Sequence, residues 1–163
     1  MPALQIDTRQ QDGKHRRKHD YFASVPDLTT VRTKVVVGDY MLVGGLVSVD
    51  TKRDILELAQ DIDHEHERFR EELKLARELG VKLIVLVEND DGVMCADDLL
   101  HWVNPRAAIN KRKGLRPPID GPRLRKACMT MEQRYGVHFD FCTPEAAGPR
   151  VLQLLGLEVG PYE

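Results

Sequence analysis

The chain has 163 residues, a formal net charge of −2, 42% hydrophobic residues and 31% charged residues. This length fits one domain, and the composition is too apolar for a disordered chain. The slight negative charge excludes a protein that coats nucleic acid by bulk electrostatics, so any contact with DNA must come from a local basic patch.

The cysteines and the apolar runs indicate in which cellular compartment the protein is found. Three widely spaced cysteines with no CxxC pair predict neither a disulfide framework nor a zinc site. The longest apolar run, Leu83 to Val87, is too short to cross a bilayer, and the first residues lack the pattern of an export signal. We therefore expect a cytoplasmic protein that has no contact with a membrane.

The first fifty residues predict short strands around a basic loop. Leu4 to Ile6 is a strand candidate, and the stretch from there to about Pro26 is mostly loop, with a helical turn near His19 to Ala23. Three further strand candidates are separated by turn signals: Lys34 to Val37, Tyr40 to Val43 and Leu46 to Val49. They form a β-meander that leads to Asp50.

The rest of the chain alternates between helical and strand patterns. From Arg53 to Leu79, apolar residues recur at helical spacing, which predicts one long helix or two consecutive ones, ended by Gly80. Leu83 to Val87 is typical of a central strand that lies parallel to a neighbour. We then predict a short helix at Asp97 to Val103 and a long basic loop at Asn104 to Gly121. A helix at Pro122 to Tyr135, an edge strand at Val137 to Cys142 and a closing helix at Pro144 to Leu155 complete the chain's predicted elements.

These elements predict an α/β sandwich of three layers, with a mixed central sheet of about five strands flanked by helices on both sides. We interpret residues 1–163 as a single domain. Its core covers about residues 4–90, and a helix–strand–helix unit covers about residues 122–156.

Three polar residues near predicted strand ends point to phosphodiester chemistry. Asp50 and Lys52 share one face of a strand because side chains alternate with period two. With Asp39 beside them, two carboxylates and the carbonyl of Thr51 offer oxygen ligands that suit Mg²⁺ or Mn²⁺. Lys52 would then orient the attacking water or neutralise developing charge. The alternative is a set of solvated charges at the end of a strand.

Four motifs in order resemble the nuclease domain of the XPF family, a branch of the PD-(D/E)xK nucleases. The family has a D-x-R-E-like motif, a G-D motif, a V-E-R-K motif and a buried strand that ends in Glu. The matching segments cover roughly the first ninety residues: Ile6-Asp7-Thr8-Arg9-Gln10, Val37-Gly38-Asp39-Tyr40, Val49-Asp50-Thr51-Lys52 and Leu83 to Glu88. Residues 131–142 more loosely resemble short stand-alone members in phages and prophages.

The resemblance implies a restriction-endonuclease-like fold and a Mg²⁺-dependent deoxyribonuclease, with Mn²⁺ as a substitute. Such an enzyme hydrolyses phosphodiester bonds in flap or branched DNA during DNA repair, recombination or phage DNA processing, in a bacterial or phage-infected cell. The chain has no recognisable paired helix–hairpin–helix module, which family members often use to hold branched DNA. We therefore expect a homodimer or a partner protein to supply that grip.

The chain departs from the family pattern at several positions. Gln10 stands where the family usually has Glu, Asp50 replaces Glu, and Thr51 replaces Arg. The acidic residue that follows the family's V-E-R-K motif has no clear equivalent. These departures favour, as the alternative function, a catalytically weak or inactive DNA-binding module with the same fold. A phosphoacceptor signalling domain would need regular βα alternation, which residues 33–50 do not show.

Asp7 and Arg9 are also predicted to be catalytic residues, and Glu88 and Gln10 are predicted to lie around the metal ligands. Asp7 is expected to bind or support the metal, and Arg9 to hold phosphate, although a structural ion pair is an equal alternative for Arg9. Glu88 and Gln10 are expected to lie behind the metal ligands and support them, and the alternative for Glu88 is a solvated turn.

Two basic clusters are predicted to contact the DNA backbone. The first directly follows the first motif and consists of Lys14, Arg16, Arg17 and Lys18. Its alternative is a mobile basic loop without a partner. The second lies in the long loop, where Arg112 and Lys113, with Arg106, Lys111 and Arg116, would form the other wall of a DNA groove.

Overall fold

The computed structural model describes residues 1–11 and 13–159, and its centre is a mixed sheet of six strands. The strands are β1 (Ala3–Asp7), β2 (Thr29–Thr33), β3 (Tyr40–Leu42), β4 (Val47–Lys52), β5 (Lys82–Glu88) and β6 (His138–Cys142). Their order in the sheet is β2-β1-β3-β4-β5-β6. The pairs β1–β2, β4–β5 and β5–β6 are parallel, and β3 is antiparallel to both β1 and β4.

Helices cover both faces of the sheet, which confirms the predicted three-layer α/β sandwich. They are α1 (Arg16–Ser24), α2 (Ile55–Asp63), α3 (His66–Glu78), α4 (Arg106–Arg112), α5 (Gly121–Tyr135) and α6 (Ala147–Leu154), with 3-10 helices at Ala96–His101 and Pro144–Ala146. Because side chains alternate along a strand, β5 contributes to two cores. Val85 and Val87 pack with α2, α3 and α5 on what we call the α2 face, and Ile84 and Leu86 pack with α1 and α6 on the α1 face.

Local signals set where the helices next to β4 and β6 begin and end. The Asp54 side chain accepts a hydrogen bond from the Glu57 amide at 2.8 Å and caps α2, and Asp120 caps α5 in the same way through the Arg123 amide at 2.9 Å. Gly136 ends α5 in a left-handed conformation with φ 71°. The cap at Asp54 starts α2 three residues after Lys52 and so fixes this helix beside the end of β4.

Several predicted elements differ from the structure. Lys34 to Val37 was expected to be a strand, but the strand is β2, at residues 29–33. Val35 and Val37 are buried in the α2-face core, so their apolar character reflects packing and not strand pairing. The long loop after Asn104 contains α4, and the sheet has six strands where about five were expected.

The predictions for the chain after Arg53 hold better. The segment from Arg53 to Leu79 forms two consecutive helices, α2 and α3. Strand β5 is parallel to both neighbours and buried, and β6 is the edge strand. Over the described residues, the helices are too short or too polar to cross a membrane.

Candidate active site

The candidate site lies at the carboxyl end of β4. Asp50 and Lys52 pair in register with Val85 and Val87 of β5, whose side chains point to the α2 face. The predicted placement of both residues on one face is therefore correct. Both are more than nine-tenths buried, with relative exposures of 7% for Asp50 and 8% for Lys52. Charged groups this deeply buried need partners.

Asp39 is held against β4 by Thr51. The Thr51 amide donates a hydrogen bond to Asp39 Oδ2 at 2.8 Å, and the Thr51 hydroxyl donates to the same oxygen at 2.9 Å. The Asp39 amide donates to the Val49 carbonyl at 2.9 Å. Thr51 thus orients the first carboxylate toward the second.

The turn before Asp39 accepts only glycine. Gly38 has φ 76°, and a Cβ there would collide with the Ser48 hydroxyl. That hydroxyl donates a hydrogen bond to the Val37 carbonyl at 2.5 Å, and the Gly38 amide donates to Glu72 Oε1 of α3 at 3.3 Å. The G-D motif is therefore held both by the sheet and by a helix on the α2 face.

The two aspartates lie in a place that is short of positive charge. Burial, followed by the charge of Asp50, raises the pKa of Asp39 well above its usual value, although the hydrogen bonds from Thr51 act in the opposite direction. Asp50 Oδ2 is buried and accepts no hydrogen bond from a described residue. Lys52 Nζ lies 3.0 Å from this oxygen as an ion-pair partner.

Lys52 lies between two carboxylates. Its Nζ is 2.7 Å from Asp61 Oδ2 on α2 and 3.0 Å from Asp50 Oδ2, and it lies 5.4 Å from the centre of the Phe69 ring. Burial alone would lower the pKa of Lys52, but Asp50 and Asp61 outweigh burial and raise it. The side chain is thus an ammonium ion at neutral pH.

Sequence analysis missed two of these acidic residues, Asp61 and Glu72. Asp61 borders the apolar stripe of α2, between the buried residues Leu58 and Ile62, and this was the available signal. Glu72 lies on α3 next to the buried Leu73. Burial, followed by the charge of Asp50, raises the pKa of the Glu72 carboxyl to about 7. Both residues belong to helices whose packing partner the sequence does not specify.

Asp7 and Arg9 bind the segment that leads to Gly38. Arg9 Nε donates to Asp7 Oδ2 at 2.7 Å, and Arg9 Nη2 donates to the Val35 carbonyl at 2.8 Å. The other oxygen, Asp7 Oδ1, accepts from the Val35 amide at 3.1 Å. The structure thus shows the structural ion pair that was the alternative reading of Arg9. A further role of Asp7 in metal binding stays a prediction.

Gln10 belongs to a polar cluster next to α1. Its Oε1 lies 3.0 Å from His19 Nε2 and 3.4 Å from the Tyr40 hydroxyl, and the His15 ring stacks on the His19 ring at 5.9 Å. Burial, followed by the charge of Lys18, lowers the pKa of His15 to about 4, so this ring is neutral at pH 7. Gln10 therefore contacts histidine and tyrosine, where support of the metal ligands was expected.

Lys18 and Glu88 form a buried ion pair with 2.6 Å between Nζ and Oε2. The Lys18 side chain is 5% exposed, so the predicted contact of Lys18 with DNA is wrong. Glu88 follows Leu86 on the α1 face, opposite the face that carries Asp50 and Lys52. A supporting role of Glu88 behind those ligands stays a prediction.

The other predicted DNA contacts are accessible, and binding there stays a prediction. Arg17 pairs with Glu145 at 3.1 Å and Arg16 lies 3.8 Å from Asp20, both in exposed pairs. These arginines belong to α1 and not to a loop. The remaining residues of the two predicted clusters are also exposed: Lys14, Arg106, Lys111, Arg112, Lys113 and Arg116.

The predicted metal ligands are few. Among the described residues, no group of three or more His, Cys, Asp or Glu side chains is arranged to hold a metal ion. The predicted set therefore stays at Asp39, Asp50 and the carbonyl of Thr51, and metal binding is a proposal.

The sheet order, its two helical layers and the acidic residues at the end of β4 define a restriction-endonuclease-like fold. Among solved structures, the chain is similar to XPF from Aeropyrum pernix in complex with DNA, with a TM-score of 0.63 and 16% sequence identity. The similarity covers 95% of this chain and 64% of the XPF chain, so this chain spans just under two thirds of the length of that XPF. No protein-family model and no curated protein matches the chain. The similarity confirms the expected XPF-type fold.

Proposed function

We propose that this chain is a metal-dependent DNA endonuclease that hydrolyses phosphodiester bonds in flap or branched DNA. The observation that carries the proposal is the meeting of Asp39, Asp50 and Lys52 at the end of β4. The fold of this chain is similar to that of an XPF solved in complex with DNA, which supports DNA as the partner here. Fold alone does not define activity, so the residues of this site carry the proposal.

The residues present fit a hard divalent cation. Two carboxylates lie close enough for the charge of Asp50 to raise the pKa of Asp39, and the partner of Asp50 Oδ2 among the described residues is the ammonium of Lys52. Asp39, Asp50 and the Thr51 carbonyl would hold Mg²⁺ or Mn²⁺ through oxygen. When bound, the ion supplies positive charge that polarises a phosphate and makes water more acidic.

The chain's own residues have separate roles in this proposal. Thr51 orients Asp39, and Asp61 holds the ammonium of Lys52 at the site. Lys52 donates hydrogen bonds to the phosphate oxygens on which negative charge develops. Glu72 fixes the backbone of Gly38 and so the direction of Asp39.

The proposed substrate is DNA, in repair, recombination or phage DNA processing. The exposed cations Lys14, Arg16 and Arg17 lie at the start of α1 and would contact phosphates. A homodimer or a partner protein would add grip on branched DNA.

One observation favours the second candidate, a DNA-binding module that cleaves weakly or not at all. The described residues offer no cluster of three metal-binding side chains, and Gln10 contributes no charge where the XPF family has Glu. A site with fewer anionic ligands binds a divalent cation more weakly.

The test is cleavage of labelled single-stranded, duplex, flap and branched DNA with Mg²⁺, Mn²⁺ or EDTA. We expect metal-dependent cutting that Asp39→Ala and Lys52→Ala abolish, while circular dichroism and DNA binding in EDTA stay unchanged. Lys82→Ala, at the amino end of β5, is the control and should cut like the wild type. DNA binding without cutting under every metal would disprove the nuclease and leave the binding module.

A further inference from the structure

Residues 104–118 form an extension that we call the basic arm. It carries five cations and no carboxylate, in a chain whose net charge is −2. All five side chains are exposed, and none of the residues of α4 within it is buried. They are Arg106, Lys111, Arg112, Lys113 and Arg116. Such a local concentration of positive charge in an acidic protein fits a polyanionic partner.

The basic arm is fixed by hydrogen bonds of two asparagines. Asn104 Nδ2 donates to the Ile119 carbonyl at 2.9 Å and closes the arm at its base, and Asn104 Oδ1 accepts from the Arg106 amide at 2.9 Å. Asn110 Nδ2 donates to the Arg116 carbonyl at 3.0 Å and folds the second half of the arm onto α4. The cations are therefore presented on a defined scaffold, which lowers the conformational entropy lost on binding.

A groove of about 440 Å³ runs between the basic arm and α2. Leu56, Leu115 and Pro118 contribute its apolar wall, and Arg106 and Arg116 contribute cations. The Arg116 side chain is 84% exposed and lies 3.9 Å from Asp63, beyond hydrogen-bonding distance. The volume lies in the range of roughly 300–1,000 Å³ that is usual for sites of small organic groups.

This combination suits an unpaired nucleotide better than a duplex. In a duplex the faces of the bases are stacked on one another, so only phosphates and groove edges are accessible. An unpaired base offers a face that can pack on apolar side chains or on a guanidinium plane, while its phosphate contacts the cations. The apolar wall gains contact area only from such a base.

The groove is also close to the candidate active site. Asp61, which contacts Lys52, and the groove residues Leu56 and Gln60 belong to the same helix, α2. At 100° per residue, the groove residues lie on the other side of this helix from Asp61. The groove and the candidate active site are therefore separated by about one helix diameter, roughly 10 Å.

We propose that the groove between the basic arm and α2 holds an unpaired strand of DNA next to the candidate active site. This inference rests on the proposed nuclease function and assigns a place on this chain to the single-stranded segment of the proposed substrate. Arg106 and Arg116 contact phosphates, and Leu56, Leu115 and Pro118 contact a base.

The test measures DNA binding separately from cleavage. Fluorescence anisotropy in EDTA compares a single DNA strand of about 12 nucleotides, the matching duplex and the matching RNA strand. The variants are Arg106→Ala/Arg116→Ala, which removes two cations, and Leu115→Ser, which removes part of the apolar wall. Lys74→Ala/Lys82→Ala removes the same charge outside the groove and is the control.

We expect the wild type to bind the single DNA strand more tightly than the duplex. The double arginine variant should lose about tenfold or more of that affinity. The slope of the logarithm of its binding constant against the logarithm of salt concentration should become shallower by about 1.4, or 0.7 for each lost phosphate contact. Leu115→Ser should weaken binding of the single strand severalfold and leave duplex binding unchanged. The lysine control should bind like the wild type.

Unchanged single-strand binding by the arginine and leucine variants would overturn the proposal, even if the wild type cuts DNA. An equal loss of duplex and single-strand binding in Leu115→Ser, or tighter binding of RNA than of DNA, would also overturn it. Conversely, single-strand binding that depends on the basic arm, in a protein that cuts under no metal, would disprove the nuclease and support this groove.

Discussion

Lys52 and Asp61 form a short contact in the candidate site, with 2.7 Å between Nζ and Oδ2. Lys52 belongs to a sequence motif, but Asp61 lies two turns into the following helix. Sequence motifs alone gave no clear equivalent of the acidic residue that follows the V-E-R-K motif. In the structure, Asp61 supplies a carboxylate next to Lys52.

Asp61→Asn should lower kcat about 10- to 100-fold, the usual effect of losing a group that orients a ligand or a reacting side chain. The reason is that Lys52 would retain only Asp50 as a charged partner and would turn toward it. KM for DNA should change less than twofold. The measurement is steady-state cleavage, with Glu65→Gln, an exposed residue before α3, as the control. A kcat equal to that of the wild type would remove Asp61 from the site.

Glu72 should make stability depend on pH. Its pKa in the folded protein is about 7, against an ordinary value of 4.5, because burial and Asp50 disfavour the charged form. A raised pKa stabilises the fold below about pH 4.5, and this contribution is lost as pH rises through about 7.

Glu72→Gln stays neutral and can still accept the hydrogen bond from Gly38. It should therefore match the wild type at pH 4.5 and exceed its unfolding free energy at pH 8 by at most about 3.4 kcal/mol, at 1.36 kcal/mol for each pKa unit. Urea unfolding across this range is the measurement, and Glu71→Gln, which is exposed on the same helix, is the control. Parallel curves for wild type and Glu72→Gln would contradict the prediction.

Gly38→Ala should unfold the protein more easily than Gly44→Ala. Both glycines have similar positive φ, 76° and 78°, so each substitution introduces a backbone strain of about 1–2 kcal/mol. A Cβ at Gly44 meets nothing within 4 Å, whereas at Gly38 it collides with Ser48. Gly38→Ala should thus add roughly 1–3 kcal/mol of overpacking in denaturant unfolding. Equal losses of unfolding free energy for the two variants would show that Ser48 moves away from the added Cβ and that no overpacking remains.

Lys18→Met should destabilise the protein by about 3–5 kcal/mol, because Glu88 would remain as a buried charge without its partner. Lys18→Met/Glu88→Met removes both charges and should regain most of that loss. Arg17→Met is the control, since its pair with Glu145 is exposed and is worth at most about 1 kcal/mol. If Lys18→Met were as mild as Arg17→Met, the ion pair would not be buried in solution.

Sequence alone determined the features that have a short period along the chain. The period of two in a strand placed Asp50 and Lys52 on one face, and the unbroken apolar run of β5 indicated a strand buried on both sides. The glycine of the G-D motif marked a turn that only glycine fits. These signals depend on backbone geometry, which acts between neighbouring residues.

The tertiary structure alone decided which distant side chains meet. Lys18 and Glu88 are 70 positions apart, and a basic residue that will be buried has the same local pattern as one that will contact DNA. Likewise, helical period gives the buried face of α2 and α3 but not the strand end against which Asp61 and Glu72 pack. Val35 and Val37 resembled a strand because burial, and not strand pairing, selects apolar side chains there. Charge pairing and burial act through space, so the sheet order had to bring these residues together.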